Sequence, residues 1–160
     1  MKSLTNLGVK ALASCFFLTY PLVQWMKTRG YRWTGAGFIG TVAGYVSSRF
    51  LPVARWPCSL SLAGVFFISV AVSDRAEELL GQKDDQRIVI DEWAGYLVSI
   101  AFLPQSPLVL LSAFVLFRII DVTKPLGINR LGDLPGGWGV VMDDVAGGLA
   151  VNVLLRLIPR

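Results

Sequence analysis

The chain has 160 residues, room for one domain, with a net charge of +4 and no histidine. It is 54% hydrophobic and only 16% charged, with mean hydropathy +0.58; soluble domains carry about 25% charged residues. These values argue against a soluble domain, against His-based acid–base chemistry or His metal ligands, and, since the basic residues are scattered, against nucleic-acid binding.

The apolar runs, taken in order, give the architecture. Leu7 to Trp25 is mostly apolar, with Lys10 inside. The segment LASC ends at Cys15 in the manner of a lipoprotein cleavage site. The residues before it, SLTNLGVK, are too polar for a signal-peptide core, and the apolar run follows the cysteine. Cys15 and Cys58 form no CxxC motif and are expected to be inert thiols without a disulfide framework. Lys27, Arg29 and Arg32 form a basic cluster. Gly35 to Leu51 is apolar and glycine-rich, and Leu60 to Val72 is a clean apolar run.

The segment SDRAEELLGQKDDQR, Ser73 to Arg87, reads as a solvated helix and loop with a second basic cluster at Arg75, Lys83 and Arg87. Lys and Arg count in the positive-inside rule and acids hardly do, so both clusters suit the cytoplasmic side. Trp93 to Phe117 is apolar but broken by PQSP at Pro104 to Pro107. Asp121 to Gly137 is a long loop rich in Gly and Pro, and Val145 to Ile158 is the last apolar run. A spanning helix needs about 20 residues, about 17 at the short end. Several runs are shorter. The expected fold is therefore an all-α integral membrane protein, a single domain over 1–160, with three or four spans plus a re-entrant or interfacial helical hairpin.

Of eleven acids, five sit against apolar segments: Asp91, Glu92, Asp121, Asp143 and Asp144. Acids at a membrane edge are candidates for function. Asp91 and Glu92, in IVIDEWAGY, open a helix, where capping and dipole compensation would account for one acid more easily than for two. In FRIIDVTKP, Arg118, Asp121 and Lys124 are spaced to line one helix face, and Pro125 ends the helix. They form either a local ion pair or a site where Arg and Lys take phosphate oxygens and Asp takes a metal. In PGGWGVVMDDVAGG, a glycine turn precedes Asp143 and Asp144; it reads either as a phosphate-holding helix start or as a loop closed by an Asp N-cap. Without His, a metal here must take oxygen ligands, which points to a hard cation such as Mg²⁺.

Geometry links the first two motifs. One continuous helix from Glu92 to Arg118 would separate them by roughly 39 Å. A turn at PQSP, with its tip near Gln105, instead folds the segment into a hairpin with arms of 10 or 11 residues. That returns Asp91 and Glu92 to the side of Arg118 and Asp121.

Together the motifs resemble a known family. IVIDE at 88–92, FRIIDVTKP at 117–125 and LPGGWGVVMDDVAGG at 134–148 are similar, in order and spacing, to three signature blocks of phosphatidylglycerophosphatase A. Asp84 resembles the acid preceding the first block, and Asp85 stands where the family often has Pro. GFIGT, Gly37 to Thr41, resembles a PGTxGS element through Gly37, Gly40 and Thr41, with Ala36 and Phe38 in place of the usual Pro and Thr.

The resemblance implies a Mg²⁺-dependent phosphatase of the bacterial inner membrane. It would hydrolyse phosphatidylglycerophosphate to phosphatidylglycerol and phosphate, at a site facing the cytoplasm. On this reading Asp91, Glu92, Asp121, Asp143 and Asp144 are the catalytic and metal-ligating set, and Arg118 and Lys124 bind the substrate phosphate. A metal-activated water is the favoured nucleophile, with Asp144 or Glu92 as base. The alternative is a membrane ion transporter with a carboxylate-lined pathway, which predicts acids spread through the membrane depth and repeated helices. A phosphatidyltransferase would carry a DGxxAR signature, which is absent.

Overall fold

The computed structural model describes residues 2–31 and 34–157; Arg32 of the first basic cluster lies outside them. Among the described residues there is no strand. Seven α-helices follow in order: α1 Lys2–Ala13, α2 Thr19–Thr28, α3 Gly37–Ser47, α4 Arg55–Leu80, α5 Ile90–Ser99, α6 Pro107–Thr123 and α7 Gly137–Leu157. Short 3₁₀ segments occupy Ser48–Phe50 and Pro125–Asp133, the latter inside the expected long loop.

The first apolar run is not one segment. Ser14 donates its hydroxyl to the Lys10 carbonyl (2.6 Å) and accepts from the Phe17 amide (3.0 Å). Cys15, Phe16 and Phe17 then take positive φ, which breaks the helix between α1 and α2. The break has a tertiary anchor: the Val89 amide donates to the Ala13 carbonyl at 2.8 Å. The Thr19 hydroxyl reaches the Arg87 carbonyl at 2.9 Å.

Helix α4 runs for 26 residues and closes at Gly81, whose φ of 70° is natural for a residue without a side chain. Among the described residues it is the one helix long and apolar enough to cross a membrane. It absorbs the first part of the charged segment, so Asp74, Glu77 and Glu78 lie in its last turns.

Helices α5 and α6 form the hairpin expected from PQSP. Ser106 caps α6, accepting from the Val109 amide at 3.4 Å, and Pro107 takes the first helical position. The arms are unequal. Helix α5 has 10 residues, but α6 has 17 rather than 10 or 11. FRIIDVT continues its helix up to Lys124, a left-handed C-cap before Pro125.

Short as it is, α5 is the centre of the molecule, contacting α3, α4, α6 and α7. Tyr96, Leu97 and Ile100 bury themselves against Ala113 and Phe117 of α6 and Val151 of α7. Helices α5 and α7 approach backbone to backbone: a Cβ on Gly148 would fall 2.2 Å from the Gly95 carbonyl oxygen. Small residues permit this contact, the packing habit of helices inside membranes. The outer surfaces are apolar, with Leu60, Phe67, Leu108, Leu111 and Val153 more than half exposed.

In the glycine turn before α7, the Gly137 and Gly139 amides are turned to the protein itself rather than to a ligand. The Gly137 amide donates to Asp74 Oδ1 at 3.2 Å, and a Cβ there would lie 2.0 Å from the Val70 carbonyl oxygen. The turn is pressed onto α4. Asp143 and Asp144 are not caps either, because they lie in the second turn of α7, both buried.

Candidate active site

The N-termini of α5 and α7 and the C-terminus of α6 converge on one cavity of about 280 Å³. All seven residues singled out from the sequence line it: Asp91 and Glu92 from α5, Arg118 and Asp121 from α6, Lys124 from its C-cap, and Asp143 and Asp144 from α7. Asp84, Gln86 and the Thr34–Gly37 segment complete the wall.

The five acids divide into two kinds. Asp121 Oδ2 sits 2.7 Å from Arg118 Nη1, one helical turn back along α6. Asp143 Oδ2 is paired with Lys124 Nζ, across the loop that joins α6 to α7. Asp91, Glu92 and Asp144 form the other group, with ligand oxygens all within 4.8 Å of one another. Their cation support is thin: Glu92 Oε1 lies 4.0 Å from Arg118 Nη1, at the limit of an ion pair. One oxygen on each (Asp91 Oδ1, Glu92 Oε2 and Asp144 Oδ1) is buried without a hydrogen-bond partner.

Such an arrangement needs something to balance it. Buried carboxylates this close repel one another, and an unpaired buried oxygen is costly. Capping does not account for α5's acids, since its N-cap is Val89 and makes no side-chain cap bond. An all-oxygen set with orphaned acceptors suits a hard divalent cation. Asp91, Glu92 and Asp144 could hold a metal ion, while Arg118 and Lys124, each already backed by an acid, could hold an anion beside it.

Three further contributors, named in the sequence only for their likeness to or departure from the family pattern, were not among its candidate site residues. Gly37 starts α3 against the site, where a Cβ would fall 1.9 Å from Glu92 Oε1 and 2.9 Å from Arg118 Nη1. Thr41 donates its hydroxyl to the Gly37 carbonyl at 2.9 Å and accepts from Arg118 Nη1 at 3.3 Å, fixing the guanidinium from a third side. Asp85, read as a minor departure, is almost wholly buried and takes two hydrogen bonds from the Arg87 guanidinium, at 2.7 and 2.8 Å, and one from its amide. Burial alone would raise the Asp85 carboxyl, but the Arg87 hydrogen bonds and charge outweigh it and hold it below its usual value. The same DDQR stretch carries Asp84 at the cavity, with φ 49° and its amide donating to Glu77 Oε1 at 2.6 Å.

The family model for phosphatidylglycerophosphatase A matches residues 22–159. The chain belongs to that family. A Haemophilus influenzae protein described as phosphatidylglycerophosphatase A is 29% identical over 124 residues, 76% of this chain and 75% of its own length. An Escherichia coli K12 protein of the same description is 32% identical over 93 residues, 57% of this chain and 54% of its own. A Bacteroides thetaiotaomicron protein, named provisionally as a phosphatidylinositol-3-phosphatase, is 31% identical over 105 residues, 64% of this chain and 65% of its own. The chain thus spans under two thirds of two of these three relatives. No solved structure matches it.

Proposed function

We propose that this protein is a Mg²⁺-dependent lipid phosphatase that hydrolyses phosphatidylglycerophosphate to phosphatidylglycerol and phosphate. The observation that carries the proposal is the division of the acids within one cavity. Three carboxylates with orphaned oxygens face two cations that are already held in place. Family membership and the two relatives described as phosphatidylglycerophosphatase A support the substrate.

The chain's own groups do the following. Arg118, gripped by Asp121 and Thr41, presents its planar fork to the non-bridging oxygens of the terminal phosphate. Lys124, aimed by Asp143, adds a second positive contact. Asp91, Glu92 and Asp144 would hold Mg²⁺, while Asp121 and Asp143 hold the two cations beside it; bound there, the ion would supply Lewis-acid neutralisation of the phosphoryl group. Water attacks phosphorus and gives up a proton, the bond from phosphorus to the glycerol oxygen breaks, and the leaving alkoxide takes its proton from the carboxyl that received the attacking water's proton. Glu92 Oε2 or Asp144 Oδ1, each an acceptor without a protein donor, takes the proton of the attacking water.

The outer surface supports a membrane placement. We read α4 as crossing the bilayer, with the shorter α6 and α7 beside it, and the short α5 with the 100–106 turn running from the site to the far end enclosed by protein. Apolar outward faces need lipid rather than water. The site end carries Lys27, Lys83, Arg87 and Lys124, which suits the cytoplasmic face of the bacterial inner membrane. A carboxylate-lined ion pathway is disfavoured, since all eleven acids fall between residues 74 and 144 and gather toward one end of the bundle.

The test is phosphate release by the purified full chain from phosphatidylglycerophosphate, with phosphatidylinositol 3-phosphate as a second substrate. Release that EDTA abolishes and Mg²⁺ restores is expected. No release from either lipid would overturn the enzymatic reading, and release indifferent to EDTA would overturn the metal.

A further inference from the structure

The opposite end of the bundle holds a second cavity of about 840 Å³. Its walls are the first turn of α4, the α5–α6 turn and the last turns of α7, with Leu51, Trp56, Phe102 and Leu103 giving an apolar lining. Two arginines, Arg55 and Arg156, face into it, and no acid lines it.

Arg156 is held in place without being neutralised. Its Nε donates to Asn152 Oδ1 at 2.8 Å and its Nη2 to the Ala101 carbonyl at 3.0 Å. Both acceptors are uncharged. Asn152 is itself fixed, donating to the carbonyls of Ser99 at 3.0 Å and Ala101 at 2.9 Å. Among the described residues nothing pairs with Arg156 Nη1, and Arg55 makes no ion pair. Two uncompensated guanidiniums over an apolar wall, with Trp56 exposed at the rim, match an anionic phosphate joined to hydrocarbon.

We propose that this cleft binds one anionic phospholipid from the leaflet opposite the catalytic end, its phosphate on Arg55 and Arg156 and its acyl chains against the apolar wall. The proposal rests on the membrane reading above and not on the chemistry of the acidic cavity. Charge complementarity selects the occupant: a zwitterionic headgroup brings a cation of its own toward the arginines, and an anionic one does not.

The experiment places the full chain in phosphatidylcholine nanodiscs doped with phosphatidylglycerol. Native mass spectrometry then counts the lipids retained on release. Wild type is expected to keep one phosphatidylglycerol, and R55Q and R156Q to lose it by about tenfold in occupancy, the scale of one charged hydrogen bond. R118Q, at the other end, should keep it. Among the described residues Arg55 makes no ion pair or side-chain hydrogen bond, so R55Q carries the test even if R156Q misfolds. Equal retention by wild type and R55Q, or equal retention of phosphatidylcholine, would overturn the proposal. Loss in R118Q would place the lipid in the acidic cavity and overturn it too. Phosphate release in detergent, expected to be unchanged in R55Q, is read separately. A wild type that retains lipid through Arg55 but releases no phosphate would sink the catalytic reading and leave this one standing.

Discussion

The two ends of the α5–α7 pair meet the same physical problem with different chemistry. At one end Asp144 of α7 faces the first turn of α5, and with Asp91 and Glu92 it gathers carboxylates whose one cation contact among the described residues is Glu92 with Arg118 at 4.0 Å. At the other end, two helical turns further along α7, Asn152 faces the last turn of α5 and satisfies its free carbonyls. Asn and Asp are nearly isosteric, so the difference lies in charge and donors. The Asn end closes a helix with neutral hydrogen bonds, a structural task. The Asp end leaves acceptors open, which destabilises the folded chain unless a ligand arrives. Arginine follows the same split: Arg118 is backed by acids, whereas Arg156 is held by neutral oxygens.

Exchanging the two side-chain types breaks the comparison most directly. Asp144→Asn should lower phosphate release by on the order of 10²–10³-fold, the loss expected when a preorganised electrostatic group is removed. The same change should leave the thermal midpoint unchanged or raised, because it relieves repulsion among the three carboxylates. A destabilised but fully active protein would reverse the assignment of the ends. Asn152→Asp should do the opposite, leaving Ser99 and Ala101 carbonyls facing an acceptor. We expect a cost of about 1–3 kcal/mol in denaturant unfolding, with phosphate release per folded molecule retained.

The smallest effect concerns Asp85, an acid at the functional end with a structural task. Its folded-state pKa is held below the ordinary value of 3.8. The Asp85–Arg87 pair therefore stabilises fully above pH 3.8, and that contribution fades as pH falls through the depressed folded value. Asp85→Asn should cost about 1 kcal/mol at neutral pH and flatten the acid limb of the stability curve. An unaltered acid limb would remove the pair from the account.

The candidate site was legible to an unusual depth because charge is conspicuous in an apolar chain. Asp91, Glu92, Asp121, Asp143 and Asp144 stand out against Val, Ile and Gly, and carboxylates in such a setting persist only where something balances them. The PQSP break implied a hairpin, and with it the return of Glu92 to Arg118. The partition of the acids was not legible. Arg118 and Asp121 are close in sequence, but the Lys124–Asp143 pair depends on how the 125–136 loop folds α7 back. Thr41 lies 77 positions from the arginine it touches. The glycine turn misled for a related reason: glycine serves loop amides and close packing alike, and only the approach of α4 shows which.

What the sequence determined by itself was composition-level and local: helices, a membrane-suited surface, a hairpin, a set of acids and bases, and the family. These follow from short-range rules of hydropathy, proline geometry and residue type. The tertiary structure alone decided which acid answers to which cation, which carboxylates remain unbalanced, and that a second, acid-free cleft lies at the far end. Those outcomes depend on distances of a few ångströms between helices far apart in sequence. At that range the electrostatic energy of a buried group changes by more than any local propensity.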